Sequence, residues 1–437
     1  MKTFYIQTLG CKVNQYESDG ICVGLERQGW TKNNDQTGAD VFIINTCAVT
    51  SKAGMQSRQA IRKIIRENPD AKVIVTGCHA QTDPELIHKI DHIDQVICHT
   101  DKMQIAQQIT SICQKTSDLT FKPVDHTNTN RFKGFDHIVT GDMTRAYLKI
   151  QDGCNAFCTY CIVPYARGSS VSMPQEDVFK HLMELDRSGF KEIILTGIHT
   201  GMYGLDLNVR TSLTQLLETI NIQKPVHRIR LSSIEPTEIT DGIIQLAKPC
   251  NILCNHFHIP LQSGDDQVLK KMKRPYSAGL FESVVHKVTE QVPDVGIGVD
   301  IIVGFPSETD KAFENTFQLI SRLPISYLHI FPFSARKGTP AFHFKPKVDS
   351  TIIKERTLRM RELDKVKREA FIKANMNKPL EGLVQHRKDP KTGMLKAITS
   401  NYLTVFLDYK HGLGGKTVEL FIKHCHKDLS LKGNIIS

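Results

Sequence analysis

No apolar run in this chain approaches the roughly 20 residues that a bilayer-spanning helix needs, so a membrane helix is not expected. The opening residues, MKTFYIQTLGCKVNQ, turn polar too early for the apolar region of a secretory signal. Internal repeats and low-complexity tracts are also missing, which argues against fibrous and disordered classes. What is present is a chain of 437 residues, 40% hydrophobic and 23% charged. That length suits about three domains of roughly 150 residues each. A cytoplasmic protein is the default expectation. In that reducing compartment the twelve cysteines call for metal or redox chemistry, not disulfides. The net charge of +10 points to a polyanionic partner.

Three short β-branched or aromatic runs occupy the first hundred residues: 4–9, 41–44 and 72–76. Helix-like stretches follow them around 16–28, 52–67 and 83–90. Alternating strands and helices predict a parallel sheet with helices on both faces, an α/β domain over 1–114. Residues 115–139 are polar, Thr/Asn-rich and aperiodic, and read as a linker. A second strand–helix series follows, with strands expected at 145–150, 192–196, 227–231, 256–259, 298–303 and 327–331. Six such units are too few for a complete eight-unit barrel, so a partial (β/α)6 barrel is expected over 140–372. A long charged helix is expected at 350–377. Beyond it, short strands broken by Gly and Asp turns predict a small all-β barrel over 373–437.

The strongest local signal is Cys154-Asn-Ala-Phe-Cys158-Thr-Tyr-Cys161. At this cysteine content a C-x3-C-x2-C pattern arises by chance about 0.01 times per chain. Three thiolates on one loop can hold three irons of a 4Fe–4S cluster and leave the fourth iron open. A structural zinc loop is the competing reading, and the spacing and the missing fourth ligand count against it. A second set emerges from placement: Cys11, Cys47 and Cys78 each follow one of the first three strands. In a parallel sheet all three thiols would project from one edge. Gly10 and Gly77 beside them would let the backbone approach a bulky ligand. The competing reading makes them three buried small residues.

These residues carry a resemblance. Gly153 through Gly168 is similar to the radical S-adenosylmethionine (SAM) loop of the methylthiotransferases, and Cys11, Cys47 and Cys78 match that family's ligands for a second cluster. Further matches are Leu195–His199, Ser232–Pro236, His258–Gly264, Asp300–Pro306 and Phe331–Pro340, so the resemblance covers nearly the whole chain. Its end resembles a TRAM domain, a small RNA-binding β-barrel, most closely around Asn401-Tyr402. Leu9-Gly-Cys-Lys-Val-Asn-Gln-Tyr-Glu17 resembles the subgroup that acts on N6-threonylcarbamoyladenosine beside the tRNA anticodon, whereas the isopentenyladenosine subgroup usually carries Gln-Met-Asn in place of Lys12-Val13-Asn14. The ribosomal-protein subgroup usually carries Pro-Lys-Asn.

The resemblance implies two 4Fe–4S clusters, SAM as radical source and methyl donor, and a tRNA substrate. It also implies a reducing donor such as a flavodoxin or ferredoxin. The unactivated C2–H of adenine is beyond positioned acids and bases, which is why such chemistry needs a radical. Tyr160, Gly197, Glu235, Ile302 and Gly304 are candidate SAM contacts, although a barrel Gly or Ile is commonly packing and Glu235 could cap the turn at Pro236. Residues 344–378 hold eleven Lys/Arg against five Asp/Glu. Within them Lys354, Arg356, Arg359, Arg361, Lys365, Lys367 and Arg368 are candidates for a phosphate-binding stripe, with a solvated helix as the plain alternative. No membrane partner is expected, and a monomer is. An RNA-binding two-cluster electron carrier is the rival from another class.

Overall fold

The computed structural model describes residues 2–114, 131–137 and 143–436. The first region is a five-stranded parallel sheet of β1 (Thr3–Thr8), β2 (Thr31–Lys32), β3 (Val41–Thr46), β4 (Lys72–Gly77) and β5 (Gln95–Val96), in the order β2-β1-β3-β4-β5. Helices cover both faces. Phe4 and Ile43 pack with Ile21 and Leu25 of the helix Lys12–Arg27 and with Ile105 and Ile109 of the helix Ile105–Gln114. Phe42, Ile44 and Val75 pack with Ile61 and Ile64 of the helix Ser51–Glu67. The result is the expected three-layer α/β arrangement. The two-residue edge strands were not foreseen, because strands so short carry no periodic signal.

Most of the expected linker lies outside the described residues. Its described part, 131–137, packs against its neighbours, because Phe132 and Phe135 have apolar surface to bury. The Phe135 ring meets Tyr16 edge-on at 6.0 Å, and His137 lies 2.7 Å from Glu184.

The central region runs from β6 (Arg145–Lys149) through a hairpin of β7 (Gln151–Asp152) and β8 (Val171–Ser172). It continues to β9 (Glu192–Thr196), β10 (Arg228–Leu231), β11 (His256–His258), β12 (Gly296–Val303) and β13 (Tyr327–Pro332). The order β6-β9-β10 and the order β11-β12-β13 are joined by parallel bridges from Ile229 to Leu253 and from Ser233 to His258. Six parallel strands therefore form the expected partial barrel. Strand alternation separates its two faces sharply. Ala146, Leu148, Ile193, Leu195, Ile229, Leu231, Phe257, Val299 and Ile301 point outward into the main apolar core under the helices. The alternate positions hold Arg145, Lys149, Glu192, Arg228, Arg230, His256, His258, Asp300, Tyr327 and His329. Complete barrels fill their interiors with branched apolar side chains. This one has a polar lumen.

The helix Ser350–Asn375 crosses from the barrel to a closed five-stranded barrel of β14 (Leu380–Lys388), β15 (Leu395–Thr399), β16 (Thr404–Leu407), β17 (Thr417–Cys425) and β18 (Leu431–Ile435). Ile372 near the helix end joins the small barrel's own core of Val384, Ala397, Val405, Leu420 and Ile422. The turn between β15 and β16 closes the amino end of the central lumen. Arg230 donates to the carbonyls of Ser400 and Thr399 at 2.8 and 3.0 Å, and Tyr402 stacks on His256 at 4.4 Å. The described residues include no helix long and apolar enough to cross a membrane.

Candidate active site

Cys11, Cys47 and Cys78 stand at the carboxyl ends of β1, β3 and β4. Between β1 and β3 the winding of the sheet reverses, and doubly wound sheets bind ligands in that crevice. The three loops close on one another. A Cβ on Gly10 would stand 2.9 Å from the Cys47 Sγ. Gly77 has φ +98°, and a Cβ there would lie 2.4 Å from the Thr46 carbonyl oxygen, so only glycine fits beside Cys78. Cys78 packs with Ala48, Ile162 and Ala166, which turns this trio toward the short helix Val163–Arg167 of the central region.

The other trio sits on the loop between β7 and that helix. Thr159 pins the loop by donating its backbone N–H to Met272 O at 3.1 Å and its hydroxyl to Lys271 O at 2.8 Å. Three groups point at its sulfurs. The Ala156 N–H lies 3.4 Å from Cys154 Sγ, and Arg274 Nη1 lies 3.4 Å from Cys158 Sγ. His199 bridges Cys154 Sγ at 3.5 Å and Glu238 at 2.7 Å. Burial alone would lower its pKa, but those two contacts raise it to about 10.

Both trios suit iron–sulfur clusters better than single metal ions. All six cysteines are free thiols. Among the described residues, neither trio converges within the 4.8 Å that one ion's ligands span. One zinc with Zn–S bonds of about 2.3 Å needs sulfurs roughly 3.8 Å apart, which counts against the zinc reading. Burial pushes the Cys47 thiol up to about 11 and the Cys161 thiol up to about 12. Both are therefore protonated at neutral pH until iron displaces the proton.

A buried ionic network ties the two trios together. Glu17 receives Lys102 at 2.5 Å and Arg167 at 3.0 Å, and Lys149 lies 3.5 Å away. Asp152 takes Arg167 at 3.0 Å and Lys149 at 2.7 Å. Arg167 also donates to Asn14 Oδ1 at 2.6 Å, and Asn14 in turn donates to the carbonyls of Leu9 and Thr46 beside Cys11 and Cys47. Burial would raise the Glu17 pKa, yet Arg167, Lys102 and Lys149 hold it well below the ordinary range. His99, 3.5 Å from Asp152, is pushed down to about 4, chiefly by burial and further by Lys102 and Arg167.

A cleft of about 200 Å³ opens between the regions, walled by Val49, Thr50, Tyr160, Gln262, Asp300, Ile302 and Phe331 among others. Val49 and Thr50 follow Cys47, and Tyr160 lies between Cys158 and Cys161, so the cleft adjoins both trios. Of the five candidate SAM contacts, Tyr160 and Ile302 line it. The other three do not line it, and each has a contact of its own. A Cβ on Gly197 would meet Gln151 Oε1 at 2.9 Å, so its close approach is to that side chain. Gly304, φ +80°, donates its N–H to Glu308 at 2.9 Å, and Ile353 fills the space beside it. Glu235 pairs with Arg274 and caps the turn at Pro236, as the plain alternative had it.

The basic stripe is corrected at Arg356 and Lys367. Arg356 is buried, pairing Glu308 at 2.6 Å and Asp310 at 2.7 Å. Lys367 donates to the carbonyls of Ser321 and Leu323 at 2.6 and 2.7 Å, capping the helix Asp310–Arg322. Arg359 pairs Glu314 at 2.9 Å and stacks on Phe313 and Phe317. Arg368 pairs Asp364 at 2.8 Å, and Lys365 lies 3.8 Å from Glu369. Lys354, Arg361 and Lys365 remain exposed. The helix is a strut that spends Arg356 and Lys367 on packing, while Lys354, Arg361 and Lys365 face solvent. His256 and His258 are lumen residues bonded to Tyr327 at 2.8 and 3.4 Å, consistent with a pocket-wall role.

Arg167, Arg274, His199 and Gln151 were not singled out from sequence as functional residues. Arg167 and His199 fall inside the matched segments, which was the available signal. Arg274 had none, because its relation to Cys158 exists only in the folded chain.

Fold and site together define a radical SAM domain joined to a second thiol-bearing sheet. Residues 148–320 match the radical SAM superfamily, and residues 3–98 match the uncharacterized protein family UPF0004. The threonylcarbamoyladenosine tRNA methylthiotransferase MtaB of Bacillus subtilis (strain 168) is 37% identical over 97% of this chain and 94% of its own length. The tRNA-2-methylthio-N(6)-dimethylallyladenosine synthase of Clostridium tetani (strain Massachusetts / E88) is 31% identical over 94% of this chain and 92% of its own. Among solved structures, the radical SAM methyltransferase TsrM of Kitasatospora setae, with cobalamin and a 4Fe–4S cluster bound, shares the fold. Its TM-score is 0.59 at 14% identity, covering 78% of this chain and 77% of that one. The chain belongs to the radical SAM methylthiotransferase family.

Proposed function

We propose that this enzyme inserts a methylthio group at C2 of N6-threonylcarbamoyladenosine at position 37 of tRNA. The observation that carries the reading is the cleft, whose walls come from residues adjoining both cysteine trios. A reaction joining a radical at carbon to a delivered sulfur needs both centres to face one substrate. Cys154, Cys158 and Cys161 would hold the cluster that binds SAM, and Cys11, Cys47 and Cys78 the second cluster. When bound, these groups supply one-electron hydrogen abstraction and the sulfur and methyl that replace the hydrogen. The chain's own residues position and shield. Tyr160 and Ile302 present apolar walls that exclude water. Arg274 and the Ala156 N–H stabilise negative charge on the Cys158 and Cys154 sulfurs. Arg167 places a buried cation between the trios.

The substrate choice is supported by 37% identity to a threonylcarbamoyladenosine enzyme against 31% to a dimethylallyladenosine one. We further propose a cytoplasmic monomer, reduced by a flavodoxin or ferredoxin. RNA would contact the small C-terminal barrel and the exposed Lys354 and Arg361. The test is mass spectrometry of tRNA nucleosides from cells lacking the protein. Loss of the 2-methylthio form of threonylcarbamoyladenosine is expected, and its persistence with loss of the dimethylallyl counterpart would transfer the enzyme to the other subgroup.

A further inference from the structure

Outside the cysteine trios, two groups of three ligating side chains among the described residues bring their donor atoms within 4.8 Å of one another. One, Glu17, His99 and Asp152, is already neutralised by Lys102, Lys149 and Arg167. The other is His258, Asp300 and His329, from the adjacent lumen strands β11, β12 and β13. Parallel register assembles it: Asp300 is opposite His329, and His258 is opposite Gly298, two residues from Asp300 on the same face. Both rings converge on one carboxylate oxygen. His258 Nε2 lies 2.8 Å and His329 Nδ1 3.2 Å from Asp300 Oδ1. Ligands of one ion with bonds of about 2.1 Å stand roughly 3.0–3.4 Å apart, so these atoms already have nearly the spacing of a shared coordination sphere. No lysine or arginine pairs with Asp300 among the described residues, because Arg228 and Arg230 of the lumen are turned to Glu192.

The surroundings supply the support that ligating histidines commonly have. Tyr327 Oη lies 2.8 Å from His256 Nε2 and 3.4 Å from His258 Nδ1. When that hydroxyl donates to His256 and accepts from His258 Nδ1–H, the Nε2 lone pair of His258 faces the position beside Asp300. His329 is 49% exposed and Asp300 lines the cleft, so the group is open on one side. We propose that His258, Asp300 and His329 form a divalent transition-metal site of the two-histidine, one-carboxylate type, separate from both clusters. Imidazole and carboxylate donors suit zinc, iron(II) or manganese(II). Binding releases the protons that the ring nitrogens share with Asp300 Oδ1, and the ion takes their place. The remaining coordination positions face the cleft, where an oxygen donor of a bound molecule can fill one. The proposal holds whichever modified adenosine is the substrate.

The test uses the full-length protein with both clusters reconstituted, so that the six cysteines are occupied, dialysed against zinc ion. Bound zinc and retained iron are measured together, and the zinc X-ray absorption spectrum reports its ligands. One zinc per chain is expected, with a nitrogen and oxygen shell at about 2.0–2.1 Å that includes imidazole and no sulfur at about 2.3 Å. His329→Ala alters a half-exposed side chain and is expected to weaken zinc binding at least about 100-fold while iron is retained, and Tyr327→Phe to weaken it about tenfold. A dissociation constant for the unaltered protein weaker than about 100 μM would overturn the proposal without any variant. A sulfur shell would overturn it by assigning the zinc to cysteines. Equal zinc affinity in His329→Ala and the unaltered protein would overturn it as well.

Discussion

The two cysteine trios reach similar ends by opposite routes. Cys154, Cys158 and Cys161 lie on one loop, pinned by the β7–β8 hairpin and by Thr159 to neighbouring carbonyls. Cys11, Cys47 and Cys78 come from three strand ends spread over 68 residues, and only a correctly registered sheet brings them together. A local centre depends on its own turn. An assembled centre depends on the whole domain, so it is the more easily lost when packing is disturbed.

The largest expected effect removes the distinction by breaking what the trios share. Glu17→Ala leaves Arg167, Lys102 and Lys149 buried around no carboxylate. It is expected to cost about 3–5 kcal/mol and to empty both centres of iron. Thermal denaturation with iron analysis checks this; a melting temperature within 2 °C of the parent would contradict the network's role. Next in size is a pH effect on the same network. Folded His99 stays neutral down to about 4, whereas an unfolded histidine protonates near 6.5. The unfolded chain therefore binds the extra proton between those values. Its contribution is complete above about pH 6.5 and falls by about 3 kcal/mol as pH drops to 4. His99→Gln should flatten that part of the stability-against-pH curve, and an unchanged slope would show that His99 is not held neutral.

A smaller change should sharpen the contrast. Gly77→Val forces a Cβ against the Thr46 backbone at a φ of +98°, a local cost of about 1–3 kcal/mol. It should lower iron content by about half while SAM cleavage persists, because the loop at 154–161 does not use that turn. Equal loss of both activities would mean that the centres are not separable.

The same contrast explains what could be read from the sequence. The C-x3-C-x2-C loop was legible because its chemistry is written in consecutive residues. The second trio was legible only through the expectation of parallel strands, which the sheet order β2-β1-β3-β4-β5 meets. The longer strands of the first sheet and of the central barrel were found within a residue or two, whereas β2, β5, β7 and β8 have two residues each and leave no periodicity. The C-terminal β18 was also missed; its Lys432-Gly433-Asn434 core is unlike a strand in composition. The basic stripe was legible only in part, for a different reason. Charge along a helix says nothing about which cations turn inward, and Arg356 and Lys367 turn toward Glu308 and toward helix-end carbonyls. Likewise, Asn401 and Tyr402, which suggested an RNA-binding barrel, also close the lumen, with Asn401 donating to Asn375 at 2.8 Å and Tyr402 under Arg230.

The central claim is a division of labour between the trios, and one paired measurement tests it directly. Cys47→Ala and Cys158→Ala are each reconstituted anaerobically and incubated with reductant, SAM and threonylcarbamoyladenosine RNA. Released 5′-deoxyadenosine and methylthiolated nucleoside are then counted together. The account predicts that Cys47→Ala still releases 5′-deoxyadenosine but forms no methylthiolated product, whereas Cys158→Ala yields neither. Equal loss of both products in both variants would contradict it.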